Sequence, residues 1–281
     1  MTIFIRPALR AALALGLLAL PAGLAAHRQW LLPSGTIFSG TDDWVTVDYA
    51  ISNDLFYPDH HPGQPAQVKV VRPDGSAGRI EHDAIGRYRS VFDIHLDQPG
   101  TWKIGTEQRA FMGSFKINGE ERRIGRRGPP RPGEPAPLTI DDVPANATDV
   151  RITESLGTNQ IFVTAGAPTR TVLATTGRGL ELDALTHPDE LVAGEPARFR
   201  FVVDGRPAAG LKVTLIPGGK RYRDAEGARE LVAGADGVVT LSFPSAGMYW
   251  LTASASDAKV SDKRATERRL SYTATFEVMT P

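Results

Sequence analysis

Apolar side chains fall at every second position over most of this chain, and that spacing permits little except β-structure. In residues 44–51 the set Val45, Val47, Tyr49 and Ile51 shares one face, and in residues 88–96 the shared face is Tyr88, Phe92, Ile94 and Leu96. The pattern returns in Phe199, Phe201 and Val203, in Val213 and Leu215, and in Ala274, Phe276 and Val278. Successive side chains of a strand point to opposite faces, so each run reads as a half-buried strand. No long stretch carries a helical period, and no helix of more than about three turns is expected after residue 30. Turn sequences separate the runs: Pro73-Asp-Gly75, Asp204-Gly205, Pro217-Gly-Gly219 and Asp236-Gly237. Short alternating strands at this spacing predict an all-β fold built of antiparallel sandwiches.

A faint repeat sets their number. Phe92-Asp-Ile-His-Leu-Asp-Gln-Pro-Gly-Thr-Trp102 parallels Val239-Thr-Leu-Ser-Phe-Pro-Ser-Ala-Gly-Met-Tyr-Trp250. Each is a strand, a turn with Pro and Gly, and a second strand opening on an aromatic residue, as in a late hairpin of an immunoglobulin-like sandwich. Trp102 and Trp250 are expected to plug the cores rather than to bind a ligand. Residues 119–147 are rich in Pro and charge, including Pro129-Pro-Arg-Pro132, and read as a mobile loop. Residues 150–164 return to strand-like sequence and complete the first unit. The expectation is therefore two tandem sandwiches, residues 27–178 and 179–281, separate from each other.

The first 26 residues have the parts of a secretory signal. Arg6 and Arg10 precede the apolar run 11–20, Pro21 breaks it, and Ala22-Gly-Leu-Ala-Ala26 offers small residues for cleavage. The run is too short for a retained membrane span, and no other stretch is long and apolar enough for one. Removing 26 of 281 residues leaves 255, enough for two ordinary domains. The periplasm is the expected compartment. The chain has no Cys, so neither a disulfide nor a lipoprotein anchor is available. Formal charge is zero, and loss of Arg6 and Arg10 leaves 30 basic against 32 acidic side chains, which argues against a nucleic-acid partner.

Chemistry concentrates at the new N-terminus. Cleavage after Ala26 makes His27 the first residue, and a terminal His chelates through its α-amine and Nδ1. A second imidazole then completes a three-nitrogen set suited to Cu(II). Cleavage after Ala25 leaves Ala-His in front, which ligates through amine, amide and imidazole instead. The second element is residues 53–62, Asn-Asp-Leu-Phe-Tyr-Pro-Asp-His-His-Pro, a proline-bracketed loop after a strong strand. His60 and His61 are the ligand candidates there, with Asp59 before them. On extended backbone the two side chains diverge, so one is expected to ligate. His82, His95 and His187 read as structural or solvated, and Asp42-Asp43 as a turn cluster. No serine-hydrolase, zinc-protease or phosphate-loop motif occurs, so no enzymatic activity is expected.

Ala26-His-Arg-Gln-Trp-Leu-Leu-Pro33 resembles the Ala-His-x-x-Trp-Leu opening of the DUF4198 family, and residues 53–60 fit the same group. So do Gly179-Leu-Glu-Leu182, Gly194-Glu-Pro, Asp204-Gly-Arg-Pro207, Asp236-Gly237, and Gly247 with Trp250. Family members usually carry Ala-Leu-Ala before the His, whereas here an extra Ala intervenes. The resemblance covers nearly the whole mature chain. It implies a β-sandwich tail like the transthyretin or carboxypeptidase-regulatory modules and a periplasmic accessory role in copper, nickel, cobalt or iron uptake, a function also given as nickel or cobalt uptake component. The partners implied are a metal ion and an outer-membrane receptor or inner-membrane transporter. The alternative is a docking module that holds no metal. A histidine-brace copper oxidase is the remaining class, and no sequence feature favours it.

Overall fold

The computed structural model describes residues 27–126 and 133–281; residues 1–26, where a signal sequence is expected, and residues 127–132 of the Pro-rich stretch lie outside the described residues. In chain order the strands are β1 (Arg28–Pro33), β2 (Ile37–Phe38), β3 (Asp43–Ser52), β4 (His61–Pro62), β5 (Lys69–Val71), β6 (Glu81–Ile85), β7 (Ser90–Leu96), β8 (Gly100–Ile117) and β9 (Glu120–Ile124). There follow β10 (Thr148–Ala165), β11 (Leu180–Ala184), β12 (Pro196–Val203), β13 (Arg206–Pro207), β14 (Lys212–Pro217), β15 (Arg229–Val232), β16 (Val238–Ser242), β17 (Gly247–Asp257) and β18 (Glu267–Val278). Among the described residues the only helical pieces are short 3-10 turns, so the fold is all-β, as the alternation requires. No helix among them is long and apolar enough to cross a membrane.

Three sheets form. A five-stranded sheet runs β1-β3-β7-β6, with β4 on β3. A four-stranded sheet runs β11-β12-β13, with β16 on β12. Between them lies a nine-stranded sheet in the order β15-β14-β17-β18-β10-β8-β5, with β2 on β10 and β9 on β8. This long sheet belongs to both sandwiches. Ile161 and Val163 of β10 enter the core with Val45, Val47, Phe92 and Trp102, while Phe162 between them enters the core with Phe199, Phe201, Tyr249 and Phe276. Alternate residues face opposite ways, so the two smaller sheets cover opposite faces of the shared one.

The expected separation into two independent sandwiches is thus corrected: β10 and β18 pair in parallel over Thr153–Gln160 and Glu267–Ala274 and join them. A parallel pair needs a long crossover, and the whole second sandwich supplies it. No local sequence signal marks such a pairing.

Trp102 and Trp250 are buried, as expected of core plugs. A buried Trp removes about 150–250 Å² from water, roughly 4–6 kcal/mol at about 25 cal/mol per Å² before entropy is counted. Three details differ from the simple alternation. Tyr88 sits in the turn before β7 and is exposed, and Val203 is only partly buried. In β3 the buried face changes: Ala50 and Ser52 are buried and Ile51 is not, because the Trp30 cluster covers the strand's far end.

The stretch 119–147 holds more structure than its composition suggests. β9 pairs with β8. Ile124 and Val143 are buried with Phe115 and Ile152, and the Asp142 carboxylate accepts hydrogen bonds from the Thr139 backbone N–H (2.7 Å) and hydroxyl (2.9 Å).

Candidate functional site

His27 immediately precedes β1, and the next residues explain why it is held. Trp30 is fully buried with Ala50, Leu55, Ile216 and Trp250, and its indole N–H donates to Ser52 Oγ at 2.6 Å. The Trp250 indole N–H donates to the Gln29 carbonyl at 3.2 Å. The His-x-x-Trp spacing therefore nails the strand between the two sandwiches three residues after the histidine. β1 also pairs along β3, with Arg28 opposite Ser52.

The loop after β3 returns its own histidines to the same place. The Asn53 backbone N–H and side-chain amide both donate to the Asp59 carboxylate, at 2.9 and 3.2 Å, closing the loop on itself. His61 then opens β4, opposite Ile51. Gly63 anchors the exit. Its N–H donates to the Tyr49 carbonyl at 3.0 Å, and a Cβ there would lie 2.2 Å from the Tyr49 ring, so only glycine fits.

The result brings together all three histidines singled out from the sequence. The His27 and His60 rings stack with centroids 3.6 Å apart and planes at 28°, and His60 and His61 lie 3.9 Å apart at 50°. Among the described residues none of the three rings is engaged in a hydrogen bond. His60 is held below the ordinary imidazole range, first by lost hydration and then by the charges that His61 and His27 would carry, with Asp59 opposing. The donor chemistry fits a borderline ion: three imidazoles crowded at one partly exposed edge. The rings face one another rather than a common point, and no three or more His, Cys, Asp or Glu among the described residues converge as a ready ligand set.

Sequence reasoning missed the residues that the second sandwich brings here. Arg28 makes a bidentate ion pair with Glu226, its second bond 3.0 Å. Lys220 pairs with Asp54, and the Arg221 guanidinium lies 4.8 Å over the Tyr57 ring. A Cβ on Gly218 would come 3.0 Å from the Phe56 ring, so this loop packs close on the histidine loop. These partners are 198 and 166 residues apart in sequence, beyond any local pattern.

The other histidines are elsewhere. On the outer face of the first sheet His95 donates to Asp42 and His82 to Asp93 (3.2 Å), and both rings stack on Trp44, at 4.6 and 5.5 Å between centroids. Asp43 accepts from the Gly40 N–H at 3.0 Å, the turn role expected for it. His187 is buried: its Nε2–H donates to the Thr169 carbonyl (3.0 Å), and its Nδ1 accepts from the Asp189 N–H (3.2 Å).

A family model for a domain of unknown function, DUF4198, matches residues 24–257. No curated protein matches the chain. Among solved structures, the D0-D1 domain of Intimin aligns at 10% identity over 88% of this chain and 96% of that one, with a TM-score of 0.21. The D00-D0 domain of Intimin aligns at 11% over 90% and 100%, with a TM-score of 0.20. A trypsin-activated alpha-2-macroglobulin from Escherichia coli aligns at 13% over 89% of this chain and 16% of its own, with a TM-score of 0.23. Scores this low carry no argument about arrangement or function.

Proposed function

The chain belongs to the DUF4198 family, and from that premise we propose that it binds a transition-metal ion, copper, nickel or cobalt, as cargo in the periplasm, in the service of an uptake system. The observation that carries this reading is the meeting of His27, His60 and His61, with ring centroids 3.6 and 3.9 Å apart, from segments more than thirty residues apart. Imidazoles on a surface repel one another when protonated, and a cation held among the three would remove that cost by keeping them unprotonated.

His27 and His60 are the principal ligands and His61 the reserve. A cleaved terminus adds the α-amine of His27, a nitrogen that no internal residue can supply. Binding requires a modest rotation of the rings from their stacked arrangement, because a coordinated imidazole points a ring nitrogen at the ion. The role is binding and hand-over to a membrane receptor or transporter, without catalysis.

The test is titration of the exported protein with Cu(II) and Ni(II), followed by the copper d–d band and calorimetry, with intact mass fixing the first residue. Micromolar binding that is lost in the His27→Ala, His60→Ala double variant supports the reading. Equal binding by wild type and double variant, or none by either, overturns it and leaves the docking module as the better account.

A further inference from the structure

A cavity of about 500 Å³ forms a groove on the shared sheet beside the edge of the second sandwich. Its wall is β5, β8, β10 and β18, and its other side is the segment that leads into β11 together with the start of that strand. Phe162, Leu180 and Leu182 give it an apolar floor. Lys69, Lys103, Arg109 and Arg178 line it against only Glu107 and Glu181, an excess of two positive charges on a chain whose formal charge is zero.

The pairing within the groove is unequal. Lys69 pairs with Glu107 at 2.8 Å, and Arg109 pairs with Glu154 at 2.9 Å. The Glu181 carboxylate is taken up by the backbone N–H groups of Thr176, Gly177 and Arg178 and by the Thr176 hydroxyl. Lys103 and Arg178 are left: neither side chain has an ion pair or hydrogen bond among the described residues. Glu107 reports their field. Its carboxyl is held below the ordinary range, first by the hydrogen bond from Lys69 and then by the charges of Lys69, Lys103 and Arg178. Gln160 donates to the buried Tyr272 hydroxyl at 2.6 Å, which fixes its amide at the groove and leaves its carbonyl oxygen free to accept.

We infer that this groove binds a small organic dianion, two carboxylates on a short carbon skeleton. Guanidinium and ammonium groups recognise carboxylates by charge-assisted hydrogen bonds, and Arg178 offers the planar fork that holds one bidentately. The apolar floor suits the carbon skeleton, and the volume lies in the range of small-molecule sites at domain junctions. A compact inorganic dianion such as sulfate would meet the charge but leave the floor uncovered. The inference is independent of the histidine cluster.

The experiment is calorimetry of the full exported chain with succinate and, separately, with sulfate, at physiological ionic strength. Succinate should bind with a Kd below about 1 mM and at least about tenfold more tightly than sulfate. The Lys103→Gln, Arg178→Gln double variant should lose at least about tenfold in succinate affinity. The His27→Ala, His60→Ala variant should keep it, which separates this site from the metal reading. Both groove substitutions are at surface cations, and thermal melting of the variant checks its fold; the single variants serve if the double does not fold. No succinate heat from wild type, equal affinity for sulfate, or a double variant as tight as wild type would each overturn the proposal.

Discussion

Five of the six histidines lie in two surface clusters, and the clusters are built on opposite principles. His60 packs against both His27 and His61, and none of the three is paired with a carboxylate among the described residues; His82 and His95 each give a ring N–H to an Asp and stack on one indole. A carboxylate behind an imidazole does not disqualify it as a ligand, since metal-binding histidines often have one. What separates the clusters is the neighbour on the other side. In the second cluster both rings are laid against Trp44, and no third imidazole joins them. In the first, imidazole is next to imidazole. The first cluster also lacks carboxylate backing; ligands without such orientation hold metal less tightly, which is compatible with the cargo role proposed above.

The aromatic residue beside each cluster gives the widest contrast. Trp30 is fully buried, whereas Trp44 is 43% exposed. Trp30→Ala should destabilise the fold by about 3–5 kcal/mol and Trp44→Ala by about 1 kcal/mol or less, read from urea or thermal unfolding. Trp30→Ala should also release β1 and loosen the hold on His27. Similar costs for the two would mean that the strand is not anchored by Trp30. Next in size, the His27→Ala, His60→Ala pair should cost at least about 100-fold in Cu(II) affinity, and the His82→Ala, His95→Ala pair less than about twofold. If the second pair cost as much as the first, the contrast between the clusters would be empty.

These contrasts also show what the sequence could convey. The alternation at Val45, Val47 and Phe92 reports burial directly, so the strands and the core aromatics were legible. The histidine candidates were legible too, because two of them are adjacent and the third abuts the expected signal sequence. The carboxylates that tie His82 and His95, and the Glu226 and Lys220 partners, were not. They depend on which strands become neighbours, and strand order is fixed by the summed packing of three sheets rather than by any one segment. Likewise β10 carries no mark that its two faces serve different cores; Ile161 and Phe162 are equally apolar.

Acid sharpens the same comparison, provided that unfolding is kept apart from ligand protonation. Asp189 is buried, accepts from the Thr164 hydroxyl at 2.6 Å, and is pushed up to about 7 by burial first, with Glu277 and Glu190 adding. Its folded pKa is above the ordinary carboxyl value of 3.8, so the folded state holds the extra proton between them. This group therefore favours the fold at low pH and withdraws that support as pH rises through about 7. Asp189→Asn should raise the melting temperature at pH 8 relative to wild type and change it little at pH 4. Mild acid thus does not unfold the protein through Asp189, and loss of metal there reports the imidazoles. Copper affinity should fall at least about tenfold between pH 7.5 and 5.5 as protons compete for nitrogens. Because His60 is displaced downward, its share of the loss should come below the ordinary imidazole midpoint. Affinity unchanged over that interval would point to ligands other than histidine.

The smallest effect tests whether the second sandwich merely props the site or tunes it. Arg28 follows His27 and is neutralised by Glu226 across the junction, with both side chains about a quarter exposed. Glu226→Gln keeps the shape and one hydrogen bond but leaves the Arg28 charge uncompensated beside the proposed metal site. A partly exposed pair of this kind is worth about 1 kcal/mol or less to the fold, so melting should barely move. The cation, however, now approaches a bare guanidinium, and affinity should drop by roughly two- to fourfold. Salt discriminates the causes. Were Glu226 only a prop, the loss would persist at high ionic strength; if it acts through charge, raising salt from about 0.01 to 1 M shortens the screening length from about 30 to 3 Å and should erase most of the difference. Arg28→Gln is the complementary variant, and combining it with Glu226→Gln should restore affinity at low salt, because the uncompensated charge is then gone. A double variant as weak as Glu226→Gln alone would show that the second sandwich acts on His27 by position rather than by field.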